Sequence, residues 1–131
     1  MVKKKKSIQE VTTVTEPIAV EETTYENDLR TNLEEIKNCD GVIGYILRNS
    51  SSASIDLKDP TRIIDFAILS SSTFDAIRDF SELFDLGDVN HAIVEGQKVK
   101  ILSIAIDENK ISVFMEKNAD AEKILKKMHM T

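Results

Sequence analysis

The chain has 131 residues, 41% of them hydrophobic, which suits one domain with a modest core and leaves no room for a second. A net charge of −6 argues against nucleic-acid binding, because neutralising phosphates needs Lys and Arg clustered on a folded surface. The single cysteine, Cys39, excludes an intrachain disulfide, and no apolar run approaches the roughly 20 residues of a membrane span, so a soluble cytoplasmic protein is expected.

Residues 1–24 combine a Lys cluster at 3–6 with a Thr- and Glu-rich stretch that has no clean period. We expect a flexible tail there, with an added edge strand at 18–20 as the alternative. The expected domain is 25–131. Its first helix spans 25–38, on the spacing of Leu29, Leu33 and Ile36, and Asp40-Gly41 breaks it. Cys39 at this boundary reads as a small buried residue, since no basic neighbour lowers its pKa.

Residues 41–48, GVIGYILR, form a near-continuous apolar strand of the kind covered on both faces. The polar turn 49–52 leads into a short strand at 53–57, so the two make a hairpin. The serines at 50–52 lie in no G-x-S-x-G setting and serve the turn.

Asp59 as N-cap and Pro60 at the first helical position open a long helix, which Gly87 ends near Leu86. Ile63, Phe66, Ala67, Ser70, Phe74, Ile77, Phe80 and Phe84 keep the three/four spacing along it. A second apolar set, Ile64, Ile68, Leu69, Ala76 and Leu83, makes the stripe wider than one sheet face can bury. That excess points to a partner. The small residues 70–72 either admit another helix closely or weaken this one.

Residues 89–117 then read as a three-strand meander: alternation over 89–95, a break at Gly96, a strand at 99–106, a turn at 107–109 and a return over 111–115. The middle strand is apolar on both sides, with Val99, Ile101 and Ala105 facing one way and Leu102, Ile104 and Ile106 the other. The sheet is therefore covered on both faces. A closing helix at 118–130 presents Ala121, Ile124, Leu125 and Met128. The order is α-β-β-α-β-β-β-α.

Catalytic patterns are missing. His91, His129 and Cys39 have no ligand spacing for a metal, and the acidic residues fall in turns and on helix faces. The glycines never form a phosphate-cradling loop. No cofactor is expected, and binding is a better class than enzyme.

With that element order, Gly41-Val42 and Gly44 opening the first strand, Gly96 between the third and fourth, and Asn118-Ala119 entering the last helix, residues 25–130 resemble the roadblock/dynein light-chain family. One departure is the first hairpin turn, commonly Asp-Gly in the family and 49–52 here. A four-residue polar turn also closes a hairpin.

The resemblance implies an α+β fold: a five-stranded antiparallel sheet with the long helix on one face and two terminal helices on the other. It also implies a non-catalytic scaffold, a homodimer or a dimer with a related roadblock subunit, that binds or regulates a small Ras-like GTPase. Such dimers pair long helices and join third strands. On that route the interface comprises Ile63, Phe66, Ser70, Phe74, Ile77, Ala92 and Val94, and Phe74→Asp breaks the dimer or unfolds it. The alternatives are a small-molecule sensing module and a structural subunit of a larger complex without a GTPase.

Overall fold

The computed structural model describes residues 24–128, and the expected tail and its alternative strand at 18–20 lie outside them. The described residues fall into two units, 24–31 and 32–128. In the first, the described part is the helical stretch 24–31. The sheet and its covering elements belong to the second.

The elements are α1 (Thr24–Lys37), β1 (Val42–Arg48), β2 (Ala53–Leu57), α2 (Ile63–Leu83), β3 (His91–Glu95), β4 (Val99–Ile106), β5 (Asn109–Glu116) and α3 (Ala121–Met128). A 3₁₀ turn, Pro60–Arg62, precedes α2. All strands pair antiparallel, in the order β2-β1-β5-β4-β3. The sheet therefore has two edges, β2 and β3. The chain is α+β, with the element order that the sequence predicts.

α2 lies on one face. Phe66 packs with Ile46, Leu57, Ile101 and Phe114 there, its ring centroid 4.5 Å from that of Phe114. On the other face the last turns of α1 (residues 32–37) and α3 provide the cover. Tyr45 Oη donates to Glu34 Oε2 at 2.7 Å, Lys37 pairs with Asp56 at 2.7 Å, and Lys100 Nζ donates to the Ala119 carbonyl oxygen at 2.7 Å. Leu33, Ile36, Leu102, Ile111, Val113 and Met115 are fully buried.

Gly41 and Gly44 are set by close approach. Gly41 adopts a positive φ of 84°, where a Cβ would come 2.9 Å from that of Ala119. At Gly44 a Cβ would collide with the Asp56 carbonyl oxygen and the Leu57 backbone, beside a register shift between Val42 and Gly44. Two positions that carry the family resemblance thus serve strand and helix contacts.

Asp59 caps as expected, although it caps the 3₁₀ turn. Its Oδ1 accepts from Thr61 Oγ1 at 2.6 Å and from Thr61 N–H at 3.1 Å, and these bonds hold its carboxyl below the ordinary value. The far end of α2 corrects the sequence reading. The helix stops at Leu83 and not near Leu86, because Asp85 takes the left-handed conformation (φ 55°) and Leu86 N–H returns to the Ser81 carbonyl oxygen. That six-to-one bond is the Schellman closure, usually built on glycine. Gly87 comes two residues too late to be the stop.

The turn after β1 is organised by Asn49. Its Oδ1 accepts from Ser51 N–H and Ser52 N–H, both at 3.0 Å, and from both serine hydroxyls. The serines at 50–52 therefore act as turn residues.

Candidate interaction surface

α2 meets the sheet through a short buried line: Phe66, Ser70, Thr73 and Phe74. Ser70 Oγ lies 2.6 Å from Ser112 Oγ, where the helix approaches β5 over two small side chains. Ser103, opposite Ser112 on β4, is also buried, and its Oγ has no hydrogen-bond partner among the described residues. At the end of the line the Phe74 ring lies beneath two cations, Arg48 and Lys110, each 5.8 Å from its centroid.

Beyond Phe74, α2 runs on to Leu83 without another buried residue. Phe80, Leu83 and Phe84 are exposed there, with the Phe80 and Phe84 centroids 6.3 Å apart. Leu69, Ala76, Phe80 and Leu83 follow one another at spacings of seven, four and three, which puts them on one flank of the helix. At Leu69 that flank comes near β3: Leu69 joins Val94, Val99 and Ile101 in lining a groove of about 470 Å³ between α2 and the β3–β4 hairpin. Ile64 and Ile68 lie further round, exposed on the outward side.

Within the single chain the expected interface residues differ in burial. Phe66, Ser70 and Phe74 retain only 4%, 2% and 8% of their exposure within the single chain and belong to its core. Ile63 and Ile77 are half-buried on the same side. The surface that remains open takes in the second apolar set, with Ile64 73% and Leu83 74% exposed, and Phe80 and Phe84 of the first. Both sets satisfy helical spacing, and only Phe66 and Phe74 of the aromatic side chains fill the space over the sheet. Ala92 and Val94 do face the α2 side, on the edge strand β3, with Val94 exposed.

Among the described residues, no three His, Cys, Asp or Glu side chains come together as a metal site, and no helix is long and apolar enough to cross a membrane. Cys39 is half-buried rather than buried, its Sγ 3.6 Å from the Glu35 carbonyl oxygen.

No family model and no curated protein matches the sequence. Solved structures do match. A roadblock/LC7 domain from Streptomyces avermitilis gives a TM-score of 0.63 at 19% identity, covering 76% of this chain and 88% of that one. The chain has the roadblock fold. The gliding protein MglB from Thermus thermophilus shares it, with a TM-score of 0.60 at 13% identity over 81% of this chain and 84% of that one. So does an MglB structure described as having a tetrameric arrangement, with a TM-score of 0.59 at 15% identity over 81% and 83%. On this roadblock fold the exposed flank of α2 comes beside the edge strand β3 at Leu69.

Proposed function

We propose that this chain is a non-catalytic scaffold that self-associates, or pairs with a related roadblock subunit, and in that form binds or regulates a small Ras-like GTPase in the cytoplasm. The observation that carries the reading is an apolar helix flank, Leu69, Ala76, Phe80 and Leu83, left exposed on the same chain as an edge strand, β3, that Leu69 approaches and that has no further neighbour among the described residues. An unpaired edge is a template for another strand, and an apolar flank left in water favours burial. Covering Phe80 and Leu83 would contribute about 1.5–3 kcal/mol each. A second copy supplies both kinds of cover at once, through one self-complementary contact.

The GTPase part of the reading draws on the family resemblance. The groove between α2 and β3–β4 favours a protein side chain over a small ligand, because its walls are mostly apolar and few polar groups converge on it.

Sedimentation equilibrium of the full chain across a concentration series tests the first half, with a dimer expected. A monomer at every concentration overturns it. Retention of a small Ras-like GTPase on the immobilised dimer, dependent on the bound nucleotide, tests the second half. A dimer that retains none is a structural subunit of another complex.

A further inference from the structure

The end of the sheet next to Phe74 carries two positive charges side by side. Arg48, the last residue of β1, stands directly opposite Lys110, the second residue of β5. Each is two positions from a residue beneath α2, Ile46 on β1 and Ser112 on β5, so both cations stand on the α2 face. They also approach one ring: the guanidinium carbon of Arg48 and the ammonium nitrogen of Lys110 each lie 5.8 Å from the Phe74 centroid. The same row of the sheet runs on to Ala53 beside Arg48 and to Ala105 beside Lys110, both short and exposed. No side chain in that row supplies a negative charge.

Arg62 and Arg78, the other arginines of residues 32–128, are neutralised where they stand, the first by Asp65 and the second by Asp75 and Asp79. Arg48 and Lys110 make no ion pair among the described residues, and neither do Asp107 and Glu108 in the turn just before β5. Like charges directly opposed on neighbouring strands cost stability. The face of the Phe74 ring attracts each cation but carries no net charge, so the repulsion between them stays.

We propose that Arg48 and Lys110 together receive a carboxylate of a partner protein, an Asp or Glu flanked by apolar residues; this rests on the scaffold reading only in taking the partner to be a protein. An Arg held over a ring keeps its planar fork oriented, which suits two parallel bonds to a carboxylate, and the Lys beside it adds a point charge. Two cations match one acidic group better than a polyanion, because the net charge of −6 repels a nucleic acid or an anionic membrane.

The surroundings of the two cations are apolar. Ile77, three residues past Phe74, is half-buried, and Phe84, seven residues further along the same side of α2, is 62% exposed. An apolar neighbour of the incoming carboxylate therefore meets hydrocarbon. This side of α2 is separate from the flank of Leu69, Ala76 and Leu83, so the contact does not require a second copy of the chain.

Nuclear magnetic resonance of the full chain, titrated at constant ionic strength with the acetylated and amidated peptide Leu-Glu-Glu-Leu, tests the assignment. The Leu-Gln-Gln-Leu peptide controls for charge, and sodium phosphate for a bare anion. Saturable shifts of the Arg48 Nε–H and Phe74 ring signals are expected with the Glu peptide and not with the Gln peptide. Affinity should fall about fivefold or more in Arg48→Gln and in Lys110→Gln. An equal response to both peptides, no saturation, or shifts undiminished in the two variants overturns the proposal. Phosphate saturating the site where the Glu peptide does not assigns it to an inorganic anion and overturns it too. Failure of the peptide to bind leaves self-association, read by sedimentation, standing.

A second measurement needs no partner. Lys110→Glu sets a carboxylate opposite Arg48 within the chain, so its Tm at low salt should exceed that of the wild type by about 2 °C or more, and the gain should shrink as salt rises. The same variant should no longer bind the Glu peptide. A Tm unchanged or lowered means that the two cations already rest on Phe74 without need of an anion, and overturns the proposal.

Discussion

The two faces of the sheet are finished to different degrees. Beneath α3 and the last turns of α1, side chains such as Leu102, Ile111, Val113 and Met115 are sealed within the chain. On the α2 face the seal holds around Phe66 and Phe114 and then fails: Leu69, Phe80, Leu83 and Val94 are all exposed. One face shows what this chain seals by itself, and the other what a single copy leaves exposed. Core residues and exposed apolar residues consequently lie on the same helix, a fraction of a turn apart.

The sharpest break of that contrast is to strike each side of α2 in turn. Phe66→Ala removes a ring packed on Phe114 and should cost about 3–5 kcal/mol in urea unfolding. Phe74→Asp should likewise unfold the chain, and its loss of assembly would follow from loss of the fold. Leu83→Glu should instead leave the unfolding curve of the single chain within about 0.5 kcal/mol while weakening self-association at least about tenfold by sedimentation equilibrium. If Leu83→Glu unfolds the protein, or leaves assembly untouched, the division between the two sides of α2 is wrong.

A smaller effect sharpens the description of the sealed part of the α2 face. Ser103 buries a hydroxyl with no partner among the described residues, so Ser103→Ala should raise stability by about 1 kcal/mol. Ser112→Ala should lower it, because Ser70 would lose the hydroxyl 2.6 Å away. The smallest expected effect is at the entry to α2. Because the folded carboxyl of Asp59 titrates below its ordinary value, its contribution is present above the unfolded pKa near 4 and is lost as pH falls through the folded value. The Tm difference between the wild type and Asp59→Asn should be slight near neutrality and vanish in acid.

Much of this arrangement is legible in the residues. The alternation in β4 and the gap at Gly96 yield the meander, and Ala53–Leu57 and Val99–Ile106 fall where the pattern places them. The end of α2 was obscured because Asp85 adopts a conformation usually left to glycine, so the visible Gly87 took the credit. Which side of α2 the single chain buries was obscured for another reason. Phe66, Phe74, Leu69 and Leu83 all obey helical spacing, and periodicity gives the angle between two stripes without saying which one fills the volume above a sheet. Side-chain size does not separate them either, since Phe80 and Phe84 are as large as Phe66 and Phe74 and lie exposed. The open edge was legible as far as Ala92 and Val94, but its backbone directions needed the pairing with β4.

The bare end of α2 also bears on motion. Past Phe74 the helix is held mostly by its own backbone bonds, and short helical segments in water fray readily. Amides between Ile77 and Leu83 should exchange with solvent deuterium quickly in dilute solution and slow as protein concentration rises, whereas those of β5 should not respond. Hydrogen exchange along one helix would then report how many copies are present, through the segment that a lone copy leaves uncovered.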